Sequence, residues 1–410
     1  MRHHTSIRSC GHGFDGGLSR QEAVLTHEAM AFPSFKEPAQ LSAFRQEIRA
    51  FLAKQRAFGR WSPKPSGWAT FDPDFTQCLA DQGWIGLTWP KEYGGQARSP
   101  IERHVLTEEL LAAGAPVRAH WVADRQSGPL LLKFGTESQR QRFLPSIARG
   151  ETYFCIGMSE PNAGSDLASI RTRATQVDGG WRINGSKIWT SNAHRVHMMI
   201  LFARTGEPGQ SRHEGVSQFL VSLQAPGLTV RPIHNMSGEH DFNEVFFDDV
   251  FVSDDDVIGQ IGNGWKQVTS ELVYERSGPD RWMSSIGLLN DLLDEVGSTS
   301  SDASHQEVGR LVAHLWTLHH MSLSVANLVR NGAMPNTQAA LVKDLGTTFE
   351  QEIPEIARRI VAQSMRDDPV KSRAFEQALA FVTLNAPVYS IRGGTREILR
   401  GMIAKSLGMR

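Results

Sequence analysis

Apolar residues recur with a helical period through the first third of the chain. Leu41, Phe44, Ile48, Phe51 and Leu52 fall on one face of a helix over 41–54. The same period predicts helices from Phe75 to Trp84, Pro100 to Ala113, Gln126 to Lys133 and Glu137 to Arg149. TWPKEYGG, between the second and third, is a loop by its Pro and Gly content. The Glu and Arg side chains of these helices are expected on solvated faces. Near Thr152 the period shortens to alternation: TYFCIGM, ASIRTRATQV, WRINGSKIW, HMMILFART, VSQFLVSL, LTVRPI and NEVFFDDVFV. Turns rich in Gly, Pro, Asn and Asp separate them, the pattern of a compact β-domain ending near Val257-Ile258-Gly259. The helical period returns in GWKQVTSELVYERSG, then from Met283 to Val296, His305 to Arg330, Thr337 to Ala362 and Arg373 to Asn385. Pro387 and IRGGT are expected to break it before a last helix from Thr395 to Leu407.

With 410 residues the chain is long enough for two or three domains around a substantial core. A net charge of −1 provides no basic field to steer it to nucleic acid or an acidic membrane surface. No apolar run approaches a membrane span. Cys10, Cys78 and Cys155 are far apart and imply neither a metal site nor a redox pair, as expected for a reducing cytoplasm. His305, His314, His319 and His320 do not have the spacing of a metal set. Residues 1–37 are expected to form a disordered extension without the apolar core of a secretory signal, and Met30 offers an alternative start. Gly11, Gly13 and Gly16 satisfy a dinucleotide-type glycine pattern, but no strand precedes them, so that reading is rejected.

Two unusual runs lie close together. MSEPNAGSD (158–166) gathers small and hydroxyl residues around a Pro and a Gly; it suits neither helix nor strand, but it can bring backbone N–H groups and hydroxyls to a polar ligand. NGSKIWTSNAH (184–194) opens with Asn184-Gly185, expected to form a tight turn after WRI. The large flat indole of Trp189 then sits beside Thr190 and Ser191, a combination suited to a planar heterocycle bearing ring nitrogens and carbonyls.

SEPNAGSD followed by GSKIWTS resembles the signature pair of the acyl-CoA dehydrogenase family. The resemblance runs from about Pro38 to the C-terminus and includes GWIGLTWPKEYGG (83–95), FLPSIARGE (143–151), FFDDVFV (246–252) and IRGGTREI (391–398). It implies an α+β fold: an N-terminal all-helical domain (38–151), a middle β-domain (152–260) and a C-terminal helical bundle (261–410). It also implies FAD as cofactor, an acyl-CoA substrate oxidised to a trans-2-enoyl-CoA, and an electron-transfer flavoprotein as acceptor. Motif by motif, Ser159 would meet the pyrimidine edge of the flavin, with Ile156, Gly157 and Met158 adding backbone contacts. Ser165 would serve both the cofactor pyrophosphate and the CoA arm. Trp189 would pack on the flavin beside Thr190, and Ser191 would place its hydroxyl at N5, where most members have Thr. Gly393, Gly394, Thr395 and Glu397 complete the expected cofactor set, and Arg276 joins Ser165 on the substrate.

Much of the family carries its catalytic Glu just before the Gly-Thr of the C-terminal loop. Here that position is Gly393. A minority pattern puts the base on the first long helix after the β-domain, in a Glu-Arg pair, and Glu275-Arg276 occupies that place. Glu275 is therefore the expected base, with Glu271, one helical turn earlier, as the fallback. The Arg-x-x-x-Phe-Gly run that lets many members reach a neighbouring subunit's cofactor is missing from VGSTSSDASHQEVGR (296–310). The resemblance accordingly admits a homodimer, a homotetramer or a heterotetramer with a related chain. A flavin oxidase or monooxygenase on the same fold, and a non-catalytic subunit of a heteromeric dehydrogenase, remain the competing readings.

Overall fold

The computed structural model describes residues 30–63, 67–207, 209, 211–296, 301–364 and 369–409. Cys10, the glycine pattern at 11–16 and most of the expected N-terminal extension lie outside them, as do residues 297–300 of the stretch that departs from the family. Residues 30–37 run as coil against the helical core, with Phe32 and Phe35 packed on it and Glu37 paired to Arg45 at 2.9 Å.

The N-terminal helices start where local chemistry dictates. Helix α1 (Ala39–Ala57) buries all five of its periodic apolar residues. Asp72 caps α2 (Pro73–Ala80) by accepting from Phe75 N at 2.9 Å. Reciprocal capping boxes, Ser99 with Glu102 and Thr136 with Gln139, open α3 (Pro100–Ala112) and α6 (Glu137–Ala148). Between them, α4 (Arg118–Val122) passes through a π-turn (Ala123–Ser127) into α5 (Gly128–Phe134). One expectation is overturned here. Glu108 and Glu109 of α3 are not on a wet face but buried, because basic partners meet them from other helices. Arg45 reaches both at 2.6 and 2.9 Å, Arg49 reaches Glu109 at 2.7 Å, and His319 meets Glu108 at 2.5 Å.

Among the described residues eight strands form one sheet in the order β6–β7–β3–β2–β4–β5–β8, with β1 parallel to β4. They are β1 (Phe154–Gly157), β2 (Arg173–Val177), β3 (Gly180–Ser191), β4 (Met198–Arg204), β5 (Val216–Ser222), β6 (Leu228–Ile233), β7 (Phe242–Ser253) and β8 (Val257–Ile258). The expected turn at Asn184-Gly185 does not form. β3 runs through it, and the hairpin turn lies earlier, at Asp178-Gly179. The pair instead makes a bulge against β7: Asn184 Oδ1 accepts from Asp249 N at 2.9 Å, and Gly185 holds φ +140° with Thr172 Cα 2.7 Å from where a Cβ would sit. Pairing to strands on both sides outweighs the local turn preference.

The C-terminal part comprises α7 (Gly264–Arg276), α8 (Ile286–Glu295), α9 (Asp302–Arg330), α10 (Asn336–Ser364), α11 (Pro369–Tyr389) and α12 (Arg396–Ser406). Pro387 does not end α11 as expected. The helix runs two residues further to Tyr389, whose ring is buried and whose carbonyl takes the Lys343 ammonium at 2.7 Å. Among the described residues no helix is long and apolar enough to cross a membrane.

Glu108 carries a pH prediction. Burial alone would raise its pKa, but the hydrogen bond to His319 and the positive charges around it bring it from 4.5 down to about 2. A folded pKa below the unfolded one stabilises fully above the unfolded value, and that stabilisation is lost as pH falls toward 2. Glu108→Gln should cost roughly 2–3 kcal/mol at neutral pH and flatten this share of the acid limb. Urea unfolding at pH 3 and pH 7 measures both; an acid slope as steep as in the parent chain would refute the assignment.

Candidate active site

The two signature runs are joined by one buried ion pair. Lys187, in the middle of β3, is fully buried, and its ammonium donates to Glu160 Oε1 at 2.8 Å and to Met158 O at 2.9 Å. Glu160 Oε1 also accepts from Thr172 N at 2.9 Å, and Oε2 from Arg171 N at 2.6 Å. Ile188 N donates to Ser159 O at 2.9 Å. Residues 158–160 are thus fixed to β3 and to the approach to β2. Burial brings the Lys187 pKa down to about 8 against the pull of Glu160, whose own value is lowered because Lys187 and the backbone donors outweigh its desolvation. Ile156 and Gly157 end β1, and Met158 and Ser159 follow half-buried. Ser165 lies further out, exposed in the turn whose Asp166 pairs with Arg212.

The end of β3 departs from regular pairing between Lys187 and Thr190. Trp189 occupies this irregularity with φ +58°, a conformation a bulky residue adopts only at a cost of about 1–3 kcal/mol. Its indole is 56% exposed and touches Phe242 edge-on at 5.9 Å. Thr190 points the other way. Its Oγ1 is buried without a hydrogen-bond partner among the described residues, while its carbonyl accepts from Asn243 Nδ2 at 2.9 Å. Asn243 Oδ1 is shared by His194 and His240, which stack at 3.7 Å. Ser191 is half-buried opposite Phe242. An exposed indole on strained backbone, with the half-buried Ser191 hydroxyl two residues on and therefore on the same side of the strand, fits a flat ring with polar edges, so the residues present fit a flavin; Thr190, expected beside them, faces into the protein instead.

Helix α7 links this region to the C-terminal loop. Its first half packs under the first signature: Val268 and Trp265 cluster with Met158, Ala163 and Leu167. Its last residue, Arg276, is buried and donates to Gly393 O at 3.2 Å. The eight-residue rise between Val268 and Arg276 spans about 12 Å. Gly393 (φ +67°) and Gly394 (φ +96°) have left-handed backbones, and a Cβ on Gly394 would lie 3.3 Å from Arg276 Nη2. Thr395 caps α12, and Glu397 in its first turn is exposed. The backbones of Glu271 and Glu275 belong to α7; their side chains lie outside the described residues.

Arg392, beside Gly393, anchors a buried network that sequence reasoning passed over. Its Nη2 donates to Glu350 Oε2 at 2.7 Å, Ser284 Oγ at 2.7 Å and Asp280 O at 2.9 Å. Asp280 takes Arg125 from the π-turn at 2.5 Å and Arg281 at 3.2 Å. The partners are more than 40 residues apart in most cases, so spacing gave no signal. Lys187 did leave one: a charge at an inward position of an alternating strand.

Helices, an eight-stranded sheet and helices follow one another along the chain, and α7 links the sheet region to the C-terminal loop. Models of the acyl-CoA dehydrogenase N-terminal domain, middle domain and C-terminal domain match residues 38–151, 155–250 and 262–408. The chain belongs to the acyl-CoA dehydrogenase family, whose members are flavoproteins. It is 35% identical to acyl-CoA dehydrogenase IpdE1 of Mycobacterium tuberculosis, over 88% of this chain and 96% of that protein. It is 33% identical to acyl-CoA dehydrogenase FadE34 of the same organism over 96% of this chain, which spans about half (53%) of that longer relative. Among solved structures, the Tcur3481–Tcur3483 steroid ACAD superposes with a TM-score of 0.78 at 30% identity, covering 92% of this chain and 99% of that one. A chain of the ChsE4–ChsE5 complex from M. tuberculosis gives 0.79 at 27%, with the same coverages.

Lys187→Met should destabilise the chain by about 3–5 kcal/mol, because it leaves the Glu160 charge buried and unpaired. Adding Glu160→Gln should recover part of that loss in urea titrations; a double variant no more stable than the single one would count against the pair. Trp189→Gly should change stability by no more than about 1 kcal/mol, since it relieves the backbone while removing little buried surface, yet should strip the flavin on gel filtration. A yellow, fully loaded variant would disprove the role given to the indole.

Proposed function

We propose that the chain catalyses FAD-dependent α,β-dehydrogenation of an acyl-CoA thioester to a trans-2-enoyl-CoA, with Glu275 as the base. The observation that carries this reading is the contact between Arg276 and Gly393 O at 3.2 Å. It brings the residue following Glu275 against the loop position where much of the family keeps its carboxylate. A base on α7 therefore approaches the same cleft from the neighbouring element.

Ser159 and the backbone of 156–158, held by Lys187 and Glu160, would orient the pyrimidine edge of the cofactor. Trp189 would cover its ring, with Ser191 supplying a hydroxyl while Thr190 faces into the protein, and Gly393, Gly394, Thr395 and Glu397 would border it from the opposite side. Ser165 and Arg276 would contact the CoA arm and the substrate. FAD, when bound, supplies the hydride acceptor for the hydrogen leaving the β-carbon. The chain's own contribution is to move the α-proton to a carboxylate positioned in advance and to keep water away from it. Electrons would pass to an electron-transfer flavoprotein in the cytoplasm. The likeness to heteromeric relatives supports assembly with a related chain, and the relative titled a steroid ACAD supports a bulky acyl group.

Anaerobic addition of acyl-CoA thioesters to the FAD-loaded protein should bleach the flavin. Glu275→Gln should leave FAD bound and slow bleaching by on the order of a thousandfold or more, as expected on removing a general base. Unchanged bleaching would move the role to Glu271.

A further inference from the structure

Helix α7, which bears the proposed base, is capped at its end by Ser277. The last carbonyls of a helix have no intrahelical N–H to meet, so an end inside the protein needs donors from elsewhere. Ser277 O accepts from the Ser322 hydroxyl of α9 at 2.5 Å. Ser322 Oγ in turn lies 2.9 Å from His104 Nε2 of α3. All three residues are buried.

Hydrogen counting fixes the direction of this chain. A hydroxyl has one proton to give, and a carbonyl has none. Two oxygens 2.5 Å apart repel unless that proton lies between them, so Ser322 donates to Ser277 O. Ser322 Oγ then accepts from the imidazole, and His104 carries its proton on Nε2. The rest of the ring agrees. Burial pulls the His104 pKa down to about 4, so the ring is neutral and holds a single N–H. Its Nδ1 is buried with no hydrogen-bond partner among the described residues, which is where this tautomer leaves its bare lone pair.

A second rung sets the register. One turn along α3, Glu108 meets His319 at 2.5 Å, and His319 stands three residues before Ser322 on α9. The two rungs therefore join the same pair of helix faces. Their consequences differ. Glu108–His319 ties α3 to α9, whereas His104–Ser322 continues to the backbone of α7. On another side the same helix end is held by Arg276 against Gly393 O. Gly278, the next residue, passes so close to the Arg125–Asp280 pair that a Cβ there would lie 2.5 Å from Arg125 Nη2. The end of α7 is thus fixed from several directions, and the donor for its last carbonyl is itself set from α3.

We infer that His104 is a positioning residue for the reaction: through Ser322 it holds the end of α7 and so sets the reach of the base on that helix toward the substrate α-carbon. This rests on the dehydrogenase reading above, with Glu275 as base. Proton transfer is sensitive to distance, and a misplacement of about 1 Å can cost on the order of a hundredfold. Retention of FAD should depend on it far less, since the contacts proposed for the cofactor lie on the sheet and the glycine loop.

The test mixes the FAD-loaded protein anaerobically with straight and 2-methyl-branched acyl-CoA thioesters. The bleaching rate at saturation is read separately from calorimetric affinity and from urea stability. His104→Leu should bleach about 10–100-fold more slowly, with FAD retained and affinity within about threefold of the parent. His104→Gln, whose amide N–H can stand near the place of Nε2, should recover most of the rate. Ser322→Ala should reproduce the loss, and it serves if His104→Leu does not fold. The double variant should be no slower than the slower single one, because the two residues act as one chain. Bleaching at the parent rate in His104→Leu or Ser322→Ala overturns this inference alone. So does a loss confined to affinity or stability, or a His104→Gln variant as slow as Ser322→Ala. A parent chain that no thioester bleaches overturns the dehydrogenase reading, and this inference with it.

Discussion

The placement of the first signature run against β3 depends on the buried pair of Lys187 and Glu160. Removing two charges from water is unfavourable, and this pair is tolerated because nearly every valence is filled. The ammonium meets a carboxylate and a carbonyl, and the carboxylate meets the ammonium and two backbone N–H groups. A half-satisfied version would be worse than an apolar core. The pair therefore specifies one arrangement: 158–160 can lie only where those donors converge. Because Lys187 is two residues from Trp189, the same constraint sets where β3 loses its regular pairing and exposes the indole.

A second buried network holds the opposite wall. Asp280 and Glu350 draw Arg125, Arg281 and Arg392 together from the π-turn, the segment after α7 and the loop before α12. Since Arg276 contacts Gly393 O while Val268 packs beneath the first signature, α7 is a strut between the two walls. A shift of either network would move both ends of the strut. This rigidity explains how glycines can line the loop without leaving it shapeless: the chain is fixed by arginines on both sides of them, and the glycines only supply the left-handed backbone and the room.

Sequence reasoning succeeded where a single element settles its own structure. The α1 face, the starts of α3 and α6, and the alternation of the sheet strands are local patterns, and each formed within a few residues of expectation. It failed where neighbours overrule local preference. Asn184-Gly185 became a bulge because strands on both sides already claimed its backbone. Pro387 stayed inside α11 because Tyr389 beyond it is buried and hydrogen-bonded. Glu108 and Glu109 turned inward because Arg45, Arg49 and His319 came to meet them from other helices.

The sequence by itself determined the family and its signature motifs, since several short runs in fixed order need no coordinates to be read. It also determined that Gly393 carries no carboxylate and that Glu275 follows the β-domain on a helix. Only the tertiary structure decided that α7 ends against Gly393, that Lys187 is the partner of Glu160, and that His104 reaches the end of α7 through Ser322. The reason is physical. Helix and strand periods are properties of neighbouring residues. Burial of a polar group depends on which distant groups arrive to compensate it, and nothing in the spacing of His104, Ser277 and Ser322 records that meeting.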